Sequence, residues 1–191
     1  MNLYLASKSQ RRQMLLTQIG IPFECLEIDI DESKRSNETL LQYVKRMAQE
    51  KAFAGLAIAQ HRDQPVLAAD TCVSYKELLL DKPTDAKDAK RILCLLAGKT
   101  HQVMTSVVIM DQYGFESAIS VTDVSFAPVS EALIDYYIDT GECFGKAGSY
   151  AIQGYAARFV TGIKGSYTGV VGLPLFETAE LIEKFAKTRK Y

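Results

Sequence analysis

The sequence predicts a mixed α/β fold: a curved, mixed β-sheet with flanking helices, in two lobes around a central cleft. Three observations carry this. The chain opens with a short apolar strand, a polar turn and an amphipathic run, the pattern of a βα unit. Val66-Leu67-Ala68-Ala69 is continuously apolar, as in a strand covered on both faces. Two long β-rich stretches, 100–110 and 115–126, flank Gln112-Tyr113-Gly114 and read as an antiparallel pair. βα units mixed with hairpins imply a sheet that is neither all parallel nor all antiparallel. A cleft between the lobes is where functional residues are expected to meet.

In order, the first strand is Leu3-Tyr4-Leu5-Ala6. A helix follows, with Ser9 as its cap, Met14, Leu15, Leu16 and Ile19 on its apolar side, and Gly20 at its end. A second strand spans 23–27, and a long helix spans 38–60 with Leu40, Leu41, Val44, Met47, Ala48 and Leu56 inward. The apolar strand 66–69 stops at Asp70-Thr71. Residues 73–75 and 78–80 form a hairpin about Lys76-Glu77. A helix over 85–97 is stopped by Gly98, and Ser130 caps another with Leu133, Ile134 and Tyr137 inward. A glycine-rich segment, 141–154, leads to a strand over 155–160, a polar loop and a last helix over 174–187.

The chain of 191 residues has 48% hydrophobic and 24% charged residues, the proportions of an ordinary globular protein. A formal net charge of −1 gives no general attraction to nucleic acid or to anionic membrane. No apolar run reaches the ~18 residues of a membrane span, and the N-terminus lacks a signal-peptide pattern. Cys25, Cys72, Cys94 and Cys143 form no CxxC, and only His61 and His101 accompany them, which speaks against structural zinc. Buried or semi-buried thiols in a reducing cytoplasm are the expectation.

Arg11 and Arg12 fall in the first turn of the first helix, where the helix dipole is already positive. Cations there cost roughly 0.3–1 kcal/mol each, so two of them point to an anion. Exposed backbone N–H groups, the Ser9 hydroxyl and two guanidiniums make a phosphate site. Asp70 closes a buried apolar strand, a position in which a carboxylate needs a cleft, a metal or a hydrogen-bonding partner. It is a candidate general base for water, a ligand to a divalent metal, or both; capping of the next turn is the simpler alternative.

Lys51 shares a helical face with Leu40, Val44 and Met47, so it either snorkels to solvent or answers an anion. Lys82, before Pro83, supports the anion. With Asp31-Glu32 added, the composition suits metal-assisted phosphoryl chemistry on Mg²⁺ or Mn²⁺. His101 lies in a strand and reads as a hydrogen-bonded packing residue. In Lys146-Ala147-Gly148-Ser149-Tyr150-Ala151-Ile152-Gln153-Gly154, small residues allow close approach of backbone to a ligand. Gln153 offers one donor and one acceptor, complementary to N3–H and O4 of uracil or thymine. A structural turn with an incidental glutamine is the alternative.

Together these motifs resemble the Maf family of nucleoside triphosphate pyrophosphatases. The matching pieces are Leu5-Ala6-Ser7-Lys8-Ser9-Gln10-Arg11-Arg12, Asp31-Glu32, Glu50-Lys51-Ala52, Ala69-Asp70-Thr71, Lys82-Pro83, Leu96-Ala97-Gly98-Lys99-Thr100-His101-Gln102-Val103, the segment ending in Gln153-Gly154, Gly165-Ser166-Tyr167 and Val170-Val171-Gly172-Leu173-Pro174. They run in order along nearly the whole chain, which implies one domain over 1–191 and a fold similar to that of inosine-triphosphate pyrophosphatases.

Lys146 and Gln153 match the subgroup acting on dTTP and UTP. The resemblance implies Asp70 as proton acceptor and Arg12, Thr71 and Gln153 as specificity positions. It implies Ser9, Arg11, Lys51 and Lys82 around the phosphates, with Glu32 and Asp70 toward a divalent metal. A homodimer, a cytoplasmic location and a partner in the division machinery are further implications, since the family is associated with inhibition of septum formation. Departures are modest: Gln10 replaces a usual proline, Cys72 an apolar branched residue, and Cys143 and Gly145 a usual Pro and Asp.

Overall fold

The computed structural model describes residues 1–61 and 63–189. Strand β1 (Leu3–Ala6) is fully buried and pairs in parallel with both β2 (Phe23–Leu26) and β3 (Val66–Tyr75). Helix α1 (Gln10–Gln18) makes the first crossover, and helix α2 (Leu40–Ile58) lies in the second. A tight turn with Lys76 and Glu77 at positive φ joins β3 to the antiparallel β4 (Leu78–Leu80). Helix α3 (Ala86–Leu96) then leads to the long hairpin β5 (Thr100–Asp111) and β6 (Gly114–Phe126). After α4 (Glu131–Asp139), β7 (Val160–Lys164) pairs antiparallel with β6, and α5 (Tyr167–Val171) and α6 (Leu175–Arg189) end the fold. The seven-stranded mixed sheet runs β2-β1-β3-β5-β6-β7, with β4 on β3. No described helix is long and apolar enough to cross a membrane.

Two compact units are distinguished. The first comprises Met1–Asp70, Thr105–Ser120 and Gly172–Tyr191. Its core packs α2 on the sheet through Tyr4, Ala6, Ala48, Ala52, Val66, Ala68, Val108 and Met110. Small alanines on both surfaces let helix and strands approach closely. A reciprocal Thr39–Gln42 capping box starts α2. The second unit comprises Thr71–Met104 and Val121–Val171. Its core is aromatic: Phe126 and Tyr150 meet His101 edge to face, Phe159 packs on Phe126, and Tyr137 packs on Phe159.

The structure corrects several expectations. Asp70 does not close its strand; β3 continues for five more residues, because Thr71, Cys72 and Val73 sustain the extended pattern. The strand expected over 155–160 is a 3-10 helix, Tyr155–Phe159, followed by β7. Its first N–H groups are taken by the Glu142 carboxylate, which caps a helical turn and withdraws them from a ladder. Met14 and Leu41 are exposed, each one residue from a buried leucine and therefore turned about 100° off the buried stripe. Part of the presumed polar loop after β7 forms the short helix α5.

Candidate active site

Within the first unit, β1 delivers the chain into the polar residues 7–9. Ser7 is buried, and its hydroxyl accepts from the Ser9 N–H at 3.2 Å and from Arg12 Nη1 at 3.3 Å. Ser9 caps α1 as expected, accepting from the Arg12 N–H at 3.4 Å. Arg12 Nε donates to the Gly172 carbonyl at 2.8 Å, a contact spanning 160 residues of sequence. The guanidinium is thereby held back over its own helix terminus. Burial pulls Arg12 below the ordinary arginine value; Asp70 and Glu32 oppose that, and Arg11 reinforces it. Burial also lowers Arg11. No acidic side chain stands in the first turn of α1. Two partly or fully desolvated cations at a positive helix end form an arrangement that an anion would stabilise.

Lys51 resolves the choice between snorkelling and a partner. Only 8% exposed on α2, its Nζ lies 2.6 Å from Asp70 Oδ1 and 2.6 Å from Glu32 Oε1. Asp70 is also 8% exposed, and its mid-strand position is tolerated because this ammonium replaces water. Glu32 reaches the pair from an exposed loop pinned to α2. The Tyr43 hydroxyl donates to the Glu32 carbonyl at 2.9 Å, and Arg46 Nη2 donates to the Ser33 carbonyl at 3.0 Å. Arg46 also grips Glu38 at 2.7 Å and 2.8 Å, holding that carboxyl down at about 2. Asp31 is spent locally, its Oδ1 accepting from the Ser33 N–H. Of the acidic pair, Glu32 alone joins the lysine.

Ser9, Arg11, Arg12, Glu32, Lys51 and Asp70 thus belong to one unit, with charges that act on one another. Thr71 follows Asp70 along β3 and so faces the opposite side of the sheet. Thr71, Lys82 and Gln153 belong to the second unit, with Lys82 and Gln153 exposed. Gln153 sits in a turn closed by the Gly154 N–H donating to the Ala151 carbonyl at 3.0 Å. The glycine upstream has an internal reason. Gly148 has φ +72°, and a Cβ there would come 2.8 Å from Val73 Cγ1. Close approach of this segment is therefore to β3.

His101 is the packing residue expected, 1% exposed with Nε2 2.9 Å from the Tyr150 hydroxyl. Sequence reasoning assigned no role to Ser7 or to the Gly172 carbonyl. A serine two residues before a helix cap is a signal for the first; nothing local marks the second.

The donor set admits a hard cation without caging one. Asp70 and Glu32 supply carboxylate oxygens, but no group of three or more His, Cys, Asp or Glu able to hold a metal occurs among the described residues. Two carboxylates are a donor set that Mg²⁺ can use, since it binds through one or two carboxylates together with substrate phosphates.

A family model described as "Maf-like protein" matches residues 2–185. The chain is 48% identical over 187 residues to a dTTP/UTP pyrophosphatase of Yersinia pestis, covering 98% of this chain and 94% of that protein. It is 49% identical over 187 residues to one from Salmonella typhimurium, with coverage of 98% and 94%. To one from Aromatoleum aromaticum it is 45% identical over 195 residues, with coverage of 96% and 95%. Among solved structures, protein VC0702 from Vibrio cholerae superposes with a TM-score of 0.51 at 8% identity, over 100% of this chain and 98% of that one, a likeness of fold alone.

Proposed function

This chain belongs to the Maf family, and on that footing we propose that it hydrolyses dTTP and UTP to the monophosphate and pyrophosphate. The observation that carries the reading is the buried Lys51 ammonium between Asp70 and Glu32, in the same unit as two partly or fully desolvated arginines at a helix N-terminus. Names of relatives at 45–49% identity supply the substrate class.

In the reaction, a water oxygen forms a bond to the α-phosphorus. The bond from that phosphorus to the α,β-bridging oxygen breaks, and its electron pair leaves with pyrophosphate. Asp70 accepts the water proton, and the Lys51 ammonium on Oδ1 sets the carboxylate's orientation. Arg11, Arg12 and the α1 N-terminus bind the phosphate chain and stabilise the charge that grows on the leaving group. Ser7 and Gly172 keep Arg12 in place, so its orientation is set before the nucleotide arrives. Lys82 adds a further phosphate contact. Gln153 reads the N3–H and O4 edge of the pyrimidine, with Thr71 and Arg12 as further specificity positions. Glu32 and Asp70 would hold Mg²⁺ or Mn²⁺, which when bound neutralises phosphate charge.

The test is pyrophosphate release from a panel of nucleoside triphosphates with Mg²⁺, Mn²⁺ or EDTA, run on the wild type and on Asp70→Asn. The expected result is turnover highest on dTTP and UTP, lost in EDTA and reduced about 10²–10⁴-fold in Asp70→Asn with nucleotide binding retained. Wild-type turnover in Asp70→Asn would remove Asp70 from the mechanism. Turnover centred on a purine would overturn the role of Gln153.

A further inference from the structure

Glu142 takes no part in the mechanism above, yet its half-buried carboxylate makes an unusual set of contacts. Oε2 accepts from the Tyr155 N–H at 2.9 Å and Oε1 from the Ala156 N–H at 3.4 Å. The neighbouring Tyr137 hydroxyl is pushed up in pKa, by burial first and by the Glu142 carboxylate second. That hydroxyl accepts in turn from the Ala151 N–H at 3.2 Å. Tyr150, next in the chain, is tied to His101 at 2.9 Å. Both sides of the four-residue turn from Ala151 to Gly154 are therefore fastened, with Gln153 exposed near its apex.

Gly154 supplies an independent observation. Its backbone, at φ −108°, is open to any residue. Space is what matters there, since a Cβ would displace the Glu142 carboxylate from its present place. Carboxylate and glycine therefore fit one another across the base of the turn.

We propose that Glu142 is a positioning residue for base selection: through the Tyr155 and Ala156 amides it clamps the turn that presents Gln153. The inference rests on the reading of Gln153 as the group that recognises the pyrimidine. A donor–acceptor pair discriminates bases only when its direction is set in advance, and misplacement by about 1 Å costs up to about 10²-fold in rate. Loss of the clamp therefore acts on selectivity. General destabilisation would instead lower activity on every base alike.

The experiment compares the wild type with Glu142→Ala, Gly154→Ala and the double variant. Two quantities are read: the ratio of kcat/KM for dTTP to that for CTP, and inhibition by inorganic pyrophosphate. Cytosine presents an acceptor and an amine donor where thymine presents N3–H and O4. Glu142→Ala is expected to lower the ratio about tenfold or more, with pyrophosphate inhibition within about twofold of wild type. Gly154→Ala should do the same. The double variant should be no worse than Glu142→Ala alone, because the added methyl then meets no carboxylate.

An unchanged ratio in folded Glu142→Ala would overturn the proposal, as would a double variant whose losses add. If Glu142→Ala fails to fold, Gly154→Ala decides the ratio. Amide hydrogen exchange tests the clamp without any substrate: Glu142→Ala should speed exchange at Tyr155 and Ala156, and unchanged protection there would refute it. A wild type that turns over no pyrimidine triphosphate would overturn the proposed function, and with it the link to base selection, while exchange still decides the clamp.

Discussion

Acidification from pH 7 to pH 5 should remove about 2 kcal/mol of folding stability through His101 alone. The imidazole is 1% exposed, with Phe126 and Tyr150 edge-on at centroid distances of 5.0 Å and 5.4 Å. Burial pushes its pKa down from 6.5 to about 4. The unfolded chain therefore takes up a proton near pH 6.5, and the folded chain only near pH 4. Between those values the unfolded state binds more protons, so stability present above pH 6.5 is lost as pH falls toward 4. The full linkage is about 3 kcal/mol, most of it spent by pH 5.

Urea unfolding of the wild type and His101→Gln, at pH 7, 6 and 5, measures this directly. Glutamine offers the Tyr150 hydroxyl a side-chain amide and does not titrate. The stability difference between the two proteins should change by about 2 kcal/mol from pH 7 to pH 5, in favour of the variant at low pH. Parallel pH profiles would refute the argument, because they would mean that His101 is not held neutral by the fold. Tyr150 adjoins the turn bearing Gln153, so loosening should reach that segment.

Other outcomes follow from the charges described. Lys51→Met should destabilise the protein by about 3–5 kcal/mol in urea unfolding, since it leaves the buried Asp70 carboxylate without its ammonium. Adding Asp70→Asn in that background should restore part of the loss, and a purely additive double variant would show that the pair does not interact. Gln153→Glu should lower kcat/KM on dTTP by about 10²-fold or more and shift preference toward 7-methyl-GTP, whose N1–H and N2–H donors suit a carboxylate. An unchanged base profile on a nucleotide panel would show that Gln153 does not read the base.

Much of the fold was legible locally. Ser9 and Ser130 cap their helices where expected, and the Lys76-Glu77 turn closes its hairpin. Such signals lie within a few residues of what they control, because a cap or turn satisfies backbone groups of its own neighbours. The expectation for 155–160 failed for the opposite reason. Its extended-looking composition was overridden by Glu142, 13 and 14 residues away, which takes the Tyr155 and Ala156 N–H groups.

By itself, the sequence determined the kinds of residue available: two arginines at a helix start, a lysine on an apolar stripe, a carboxylate in an apolar strand, and a family pattern in order along the chain. Only the tertiary structure decided how they are joined. It set Lys51 between Asp70 and Glu32, hung Arg12 on a carbonyl 160 residues distant, and placed Asp70 in the middle of β3. The physical reason is that a buried charge is stable only with its partners, and packing of α2 against the sheet brings those partners together from segments that share no local pattern.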